Sequence, residues 1–120
     1  MSETHELGKQ GESIACGHLV SKGFKILETN WRSGSYELDI IAENEKLIVV
    51  AEVKTRSSAV FGEPEVAVNK AKQKRMIGAA NTYVTRKGID KEVRFDIISI
   101  VMKGSSTMVN HIEDAFYATL

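Results

Sequence analysis

Residues 36–54 decide the fold of this chain, and their sequence is YELDIIAENEKLIVVAEVK. Residues 36–42 predict one strand, and residues 46–54, which are rich in Val and Ile, predict a second. The polar residues 43–45 between them predict a hairpin turn. An apolar run as unbroken as residues 47–51 is typical of a strand that is buried on both faces. We therefore expect two neighbouring strands joined by a short turn, one of them inside a sheet.

Helices and further strands are predicted on both sides of this hairpin. Apolar residues recur near helical spacing over about residues 6–22 and 65–86, and Gly23 and Gly88 mark their ends. Alternation predicts strands over residues 24–29 and 92–101 and a short edge strand over 107–112, while 30–35 and 57–64 predict a turn and a loop. The order α-β-β-β-α-β-β predicts an α/β fold with a single mixed sheet.

Length and composition set the class of protein. A chain of 120 residues fits one domain, residues 1–120, and 42% apolar with 27% charged residues is ordinary for a globular protein. No run approaches the roughly 20 apolar residues of a membrane span, and the polar N-terminus lacks signal-peptide features. Cys16 stands alone, which excludes a disulfide framework and a cysteine zinc site. We expect a cytoplasmic protein without a membrane partner.

The balance of charge limits how this chain holds nucleic acid. Sixteen Lys and Arg residues face sixteen Asp and Glu residues, for a formal net charge of +0. This balance excludes a histone-like protein that binds nucleic acid through bulk positive charge. A local basic surface remains compatible with it.

Strand parity brings three charged residues together. Side chains two apart share one face of a strand, so Glu37, Asp39 and Ile41 are expected on one face, and Glu52 and Lys54 on one face of the next strand. If the two faces match, Asp39, Glu52 and Lys54 converge at the ends of otherwise apolar strands. Burying an isolated charge costs several kcal/mol unless it is paired or binds a metal.

A divalent cation between Asp39 and Glu52 resolves that cost. Two carboxylates suit Mg²⁺, with Mn²⁺ as a substitute, because Mg²⁺ keeps several waters and accepts phosphate oxygens. Lys54 would orient a bound water and offset charge on the phosphate, which predicts metal-assisted phosphodiester hydrolysis. The alternative is a structural pair of Glu52 and Lys54, with Asp39 in a turn network. Because Glu-x-Lys arises readily by chance, the strand context carries the hypothesis.

Glu12 is a fourth candidate for a catalytic role. On the first predicted helix it lies three residues before Ala15 and seven before Leu19, on their inward stripe. The functional interpretation is a further metal or water ligand. The alternative is a carboxylate that is solvated near the helix start or favoured by the positive end of the helix dipole.

Two arginines are candidates for phosphate contact. Arg32 lies in the turn that precedes the central hairpin, and Arg56 lies just beyond Lys54. The planar guanidinium group suits bidentate contact with phosphate oxygens. Surface ion pairs are the alternative for both residues.

Residues 69–75 hold four basic residues and no acidic one. Such a segment either contacts phosphates, which positions a duplex without reading its sequence, or is a solvated helix face. We assign Lys70 and Gln73, one turn apart, to the side that faces the site. We interpret Lys72 and Lys74 as solvated.

Ordered motifs run nearly the whole length of the chain. They are Gly8-x-x-Gly11-Glu12-x-x-Ala15; Asn30-Trp31-Arg32 with Glu37-Leu38-Asp39-Ile40-Ile41; Glu52-Val53-Lys54-Thr55-Arg56 with Phe61-Gly62-x-Pro64; Lys70, Ala80 and Tyr83; Arg94-Phe95-Asp96; and His111-Ile112-Glu113-x-Ala115-Phe116. In these motifs the sequence resembles the YraN-like proteins, uncharacterised protein family 0102.

The resemblance implies a restriction-endonuclease-like αβββαβ core of the PD-(D/E)xK superfamily, which includes Holliday-junction resolvases and restriction enzymes. In that core Asp39, Glu52 and Lys54 match the Asp, Glu and Lys of the nuclease motif. Glu12 matches an acidic residue that many archaeal resolvases carry on the first helix. This sequence departs from the family at Tyr36, where a glycine is usual.

We therefore expect a Mg²⁺-dependent, structure-selective DNA endonuclease. The chain carries no helix-turn-helix or zinc-finger signature, so branched or flapped DNA fits better than a specific sequence. A resolvase-like enzyme that cuts two strands further implies a homodimer. The alternatives are a nucleic-acid-binding module with little turnover and an interaction protein that has kept the fold and lost the chemistry.

Overall fold

The computed structural model describes residues 3–57 and 67–118. The α/β class and the predicted order of elements are confirmed. The predicted loop over residues 57–64 lies outside the described residues from residue 58 onward. The elements are α1 Glu3–Ser21, β1 Lys25–Ser33, β2 Tyr36–Glu43, β3 Leu47–Ser57, α2 Lys70–Lys87, β4 Glu92–Lys103 and β5 Ser106–Phe116.

One mixed sheet of five strands, in the order β1-β2-β3-β4-β5, forms the centre of the domain. Strand β3 is the middle strand: it pairs antiparallel with β2 and parallel with β4, and α2 makes the crossover between β3 and β4. Its residues 48–51 are buried, as the unbroken apolar run predicts. Ile48 and Val50 belong to one core cluster, and Val49 and Ala51 to the other.

The two helices cover opposite faces of the sheet and give three layers, α/β/α. Helix α1 packs on the face that carries Val49, Ala51 and Ile98, and α2 packs on the face that carries Ile48 and Val50. Neither α1 nor α2 is long and apolar enough to cross a membrane. The buried helix residues are Ala15 and Leu19 of α1, and Met76, Ala79, Ala80 and Tyr83 of α2.

Two boundaries differ from the prediction. Helix α2 starts at residue 70 rather than about residue 65, because the Asn69 side chain caps it: Oδ1 accepts a hydrogen bond from Lys72 N at 2.9 Å. The turn predicted over residues 30–35 shrinks to residues 34 and 35, since β1 and β2 stay paired up to it. Gly34 has φ 60°, a left-handed conformation that glycine adopts without strain.

A buried polar cluster joins β4 to β5. Asp96 is 0% exposed, and its two oxygens accept hydrogen bonds from Arg94 Nε and Nη2, each at 2.9 Å, and from His111 Nε2 at 2.7 Å. Burial alone would raise the pKa of Asp96, but these hydrogen bonds outweigh burial and lower it. His18 of α1 lies 3.0 Å from the other ring nitrogen of His111. Both histidines therefore have a structural role.

Helix α1 lies close to β3 at Gly11. A Cβ atom on Gly11 would overlap the Thr55 hydroxyl and lie 2.8 Å from Thr55 Cβ. Because Thr55 Cβ is attached to a central strand, it cannot move aside easily. We expect Gly11→Ala to lower the free energy of unfolding by about 1–3 kcal/mol in a urea titration. In Gly17→Ala, on the same helix, the added Cβ meets nothing within 4 Å. This control is expected to stabilise the protein by up to about 1 kcal/mol.

Candidate metal and phosphate site

Asp39 lies where β2 separates from β3. The two strands pair as far as Ile40 opposite Ala51, and the ladder stops there. Beyond that point the Asp39 side chain bridges the strands, since Oδ2 accepts a hydrogen bond from Val53 N at 2.8 Å. The backbone N–H of Val53 is thereby satisfied by a carboxylate rather than by a neighbouring strand.

The face-sharing predicted for Glu37, Asp39 and Ile41 fails at Ile41, since Glu37 and Asp39 both line one cleft beside α1 and Ile41 packs under α2. Leu38 and Ile41, three residues apart, both pack in the core under α2, whereas Ile40 packs in the core under α1. Strict alternation would place Leu38 with Ile40, so the alternation is interrupted at Asp39. This interruption lets the carboxylate turn toward β3.

Glu52 of β3 brings a second carboxyl group to Asp39. Its side chain is buried, at 6% residue exposure, and its carboxyl group shares a hydrogen bond with that of Asp39. Burial raises the pKa of Asp39 to about 7, and the nearby charge of Glu52 also raises it. The hydrogen bond from the Val53 N–H lowers this pKa but does not offset the other two effects. Asp39 therefore carries a proton at mildly acidic pH, and a cation is the other species that would neutralise its charge.

Lys72, near the start of α2, reaches the same carboxylate. Its Nζ atom forms an ion pair with Glu52 Oε2. This contact corrects the interpretation of Lys72 as a solvated residue. Helical phase is the signal that would have found it, because Lys72 lies four residues before Met76 and seven before Ala79, both buried.

Tyr36 forms a wall of the site on the α2 side of the sheet. Its ring packs against the core under α2, and the Arg75 guanidinium lies over it, 5.8 Å from the ring centroid. Burial raises the pKa of the Tyr36 phenol to about 12, and the charges of Glu52 and Asp39 add to that rise. In the sequence, Tyr36 stands out only as a departure from the family pattern.

Lys54 and Glu12 lie on opposite faces of the sheet around this pair. Lys54 is half-buried, two residues after Glu52 on the same face of β3. Glu12, on α1, accepts a hydrogen bond from Asn30 Nδ2 at 2.8 Å, and it lines an open cleft of about 590 Å³ together with Asp39. Asp39 is thus reached from the α1 side.

The two candidate arginines lie on the strands beside the site. Arg32 of β1 forms an ion pair with Glu37, directly opposite on β2, with 3.1 Å between Nη2 and Oε2. Its side chain is 70% exposed, so this pair is the surface alternative that the sequence left open. Arg56 is half-buried on β3, on the same face as Lys54. Phosphate contact by either arginine stays a prediction.

The two candidates on α2 differ from Lys72 in their surroundings. Lys70 is exposed at the first position of the helix. The Gln73 side chain donates a hydrogen bond from Nε2 to the Val68 carbonyl oxygen at 2.8 Å, which ties it to the segment before α2. Nucleic-acid contact by Lys70 and Gln73 stays a prediction.

The donor set of the site suits a hard divalent cation. Asp39 and Glu52 offer carboxylate oxygens, which Mg²⁺ prefers, and the two carboxyl groups lie beside each other. Within residues 3–57 and 67–118, no group of three or more His, Cys, Asp or Glu side chains is arranged to hold a metal ion. Two carboxylates would therefore bind Mg²⁺ with waters or substrate oxygens as the remaining ligands.

The ion pair of Lys72 competes with a cation for Glu52. We expect Lys72→Gln to tighten Mn²⁺ binding roughly tenfold in calorimetry, because the variant frees a carboxylate oxygen and removes a positive charge beside the cation. Lys74→Gln, an exposed position two residues away, is the matched control and should leave the affinity unchanged. Equal or weaker binding by Lys72→Gln would contradict this competition.

Fold and site together define an α/β/α domain whose central strands separate around a buried carboxylate pair. The chain belongs to the uncharacterised protein family UPF0102, whose model matches residues 11–100, and the resemblance to YraN-like proteins is thereby confirmed. A UPF0102 protein of Parabacteroides distasonis is 46% identical over 118 residues, 98% of both chains. Relatives from Bacteroides thetaiotaomicron and Flavobacterium psychrophilum are each 45% identical, over 120 and 117 residues. These alignments cover at least 98% of each chain.

Proposed function

We propose that this protein is a Mg²⁺-dependent endonuclease that hydrolyses phosphodiester bonds in branched or flapped DNA. The observation that supports this function best is the pair of hydrogen-bonded carboxyl groups of Asp39 and Glu52 where β2 and β3 separate. Lys54 follows on the same face of β3. Carboxyl groups with strongly shifted pKa values are concentrated at functional sites, although structural networks also shift them.

Each residue of the site has a distinct role in this proposal. Asp39 and Glu52 hold the cation, and the Val53 N–H keeps the Asp39 carboxylate oriented. When bound, Mg²⁺ polarises the phosphate and lowers the pKa of a coordinated water. Lys54 orients the attacking water and offsets the negative charge that develops on the phosphate. Glu12 holds a further water from the α1 side of the cleft.

A local concentration of positive charge supports a polyanionic substrate. The net charge of the chain is +0, yet Lys70, Lys72, Lys74 and Arg75 lie near the start of α2, whose first turn has no acidic residue. The start of a helix also attracts phosphate through its free backbone N–H groups and its dipole. This end of α2 adjoins the carboxylate pair through Lys72 and would hold the DNA backbone there.

A cleavage panel tests the proposed function. Purified protein is incubated with Mg²⁺ or Mn²⁺ and with labelled single-stranded, duplex, flap and four-way-junction DNA. We expect cleavage of the flap or the junction, and its loss on chelation of the metal. Absence of cleavage on every substrate with both metals would overturn the nuclease.

Sedimentation with junction DNA tests the proposed homodimer, which a persistent monomer would contradict.

Nucleic-acid binding without turnover is the second candidate function. The observation that favours it is the ion pair between Lys72 and Glu52, since the protein's own ammonium group occupies an oxygen that a cation requires. Binding that needs no divalent cation and is unchanged in Glu52→Gln would support this alternative over the nuclease.

A further inference from the structure

The phenol oxygen of Tyr36 is a buried hydrogen-bond donor beside the carboxylate pair. It has no hydrogen-bond partner among residues 3–57 and 67–118. Tyr36 packs on the α2 face of the sheet, and Glu52 lies on the same face of β3, two residues after Val50. The charges of Glu52 and Asp39 also act on the phenol. Buried polar groups are rarely left unpaired, because losing their hydrogen bonds to water is unfavourable. Such a donor calls for an acceptor that comes from outside the described chain.

The neighbouring groups restrict what that acceptor is. A phenol is protonated at neutral pH and donates one hydrogen bond. The Asp39 carboxyl group is engaged by Val53 N and Glu52, and Glu52 is engaged by Lys72. On the other side of Tyr36, the Arg75 guanidinium over its ring adds a positive charge. An anion with several acceptor oxygens, such as a phosphate, complements both the O–H group and this charge.

We propose that Tyr36 is a substrate-positioning residue whose hydroxyl donates a hydrogen bond to a non-bridging oxygen of the phosphodiester held at Asp39 and Glu52. This inference rests on the proposed function and names one of its substrate contacts. The hydroxyl binds the phosphate and not the cation, because a neutral phenol is a poor ligand for Mg²⁺ beside two carboxylates. Tyr36 therefore affects DNA and leaves metal affinity alone.

Tyr36→Phe removes this hydroxyl and keeps the ring. Tyr83→Phe is the matched control, because the Tyr83 hydroxyl is also on the α2 side but bonds to Glu28 at 3.3 Å. Each variant is assayed for its melting temperature, for Mn²⁺ affinity by calorimetry, and for binding and single-turnover cleavage of flap DNA with Mn²⁺. We expect Tyr36→Phe to lose roughly 10- to 100-fold in DNA affinity or cleavage rate. Its Mn²⁺ affinity and melting temperature should stay at wild-type values or, for the melting temperature, rise.

A second measurement identifies the acceptor. Flap DNA with an uncharged methylphosphonate at the cleaved position lacks one of the two non-bridging oxygens. If Tyr36 contacts that phosphate, the methylphosphonate weakens DNA binding by the wild type strongly and DNA binding by Tyr36→Phe much less. The reason is that the two changes remove the same interaction.

The outcomes separate the two proposals. DNA affinity and cleavage at wild-type levels in Tyr36→Phe would overturn the role of Tyr36 and leave the nuclease intact. An equal loss of DNA affinity by the wild type and by Tyr36→Phe on the methylphosphonate DNA would also overturn the role of Tyr36. A wild-type protein that neither binds nor cuts DNA with Mn²⁺ would overturn both proposals together.

Discussion

Asp39→Asn is expected to abolish Mn²⁺ binding and, without the cation, to make the protein more stable. The asparagine keeps an oxygen that accepts from Val53 N but carries no charge to oppose Glu52. Burial and the charge of Glu52 raise the pKa of Asp39 to about 7. A neutral asparagine therefore removes both the cost of burying the charge and its repulsion by Glu52. We expect the melting temperature of the cation-free variant to exceed that of the wild type by several degrees.

The sign of the pH dependence follows from the raised pKa of Asp39. An ordinary aspartate titrates near 3.8, and native Asp39 titrates near 7. Between these values the native state binds more protons than the unfolded state, so Asp39 lowers stability progressively as the pH rises and by a constant amount above about pH 7. The advantage of Asp39→Asn over the wild type should therefore grow from about pH 4 to about pH 7 and stay constant above that. The lowered pKa values of Asp96 and His18 reduce stability toward acid in both proteins, and the difference isolates Asp39.

Thermal melts with and without Mn²⁺, together with calorimetry, measure these effects. A cation at about 100 times its dissociation constant stabilises the wild type by about 2.7 kcal/mol and should leave Asp39→Asn unchanged. Glu43→Gln is the control, since Glu43 is a half-buried carboxylate of the same strand in an ion pair with Lys91, with 2.9 Å between Oε1 and Nζ. That variant should bind Mn²⁺ normally. Mn²⁺ binding by Asp39→Asn at wild-type strength would remove the metal site.

Lys54→Ala is expected to lose roughly 10²–10³ in turnover, with little change in DNA binding. The ammonium group of Lys54 has to stabilise charge that develops only in the transition state, so its loss affects the rate more than the affinity. Lys54→Arg should restore little activity, because a wide, planar guanidinium replaces a compact ammonium group. Lys46→Ala is the control, since Lys46 is exposed at the other end of the same hairpin.

Parallel melting and cleavage assays distinguish catalysis from a structural pair of Glu52 and Lys54. A lysine that serves stability alone would lower the melting temperature when it is replaced and leave the specific activity of the folded protein unchanged. Full activity in a destabilised but folded Lys54→Ala variant would therefore contradict the catalytic role of Lys54. If the wild type cuts none of the substrates, nucleic-acid binding without turnover becomes the leading function.

Much of the architecture was predictable from local patterns. The apolar run over residues 47–51 predicted a strand buried on both faces, and β3 is the central strand of the sheet. The order of helices and strands also followed from periodicity, because each element has to present its apolar side to the core. Boundaries were less predictable. Helix α2 begins after Asn69, because the Asn69 side chain accepts a hydrogen bond from Lys72 N and caps the first turn.

The meeting of Asp39 and Glu52 was predictable from the sequence, but its geometry was not. Asp39 and Glu52 were expected to meet through matching faces, and they meet because β2 leaves β3 and turns Asp39 toward Val53. Lys72 was missed because its partner, Glu52, belongs to a different element of the chain. Only the crossing of α2 over the sheet decides that contact.

The sequence by itself determined the α/β class, the order of the elements and the family, because apolar periodicity is local and motifs are read in order along the chain. Tertiary structure alone decided the separation of two strands at Asp39, the ion pair of Lys72 and the place of the Tyr36 hydroxyl. It also decided the need for glycine at Gly11, where α1 meets Thr55. Each of these features depends on how elements far apart in the chain approach one another, and that distance is set by the packing of the whole core.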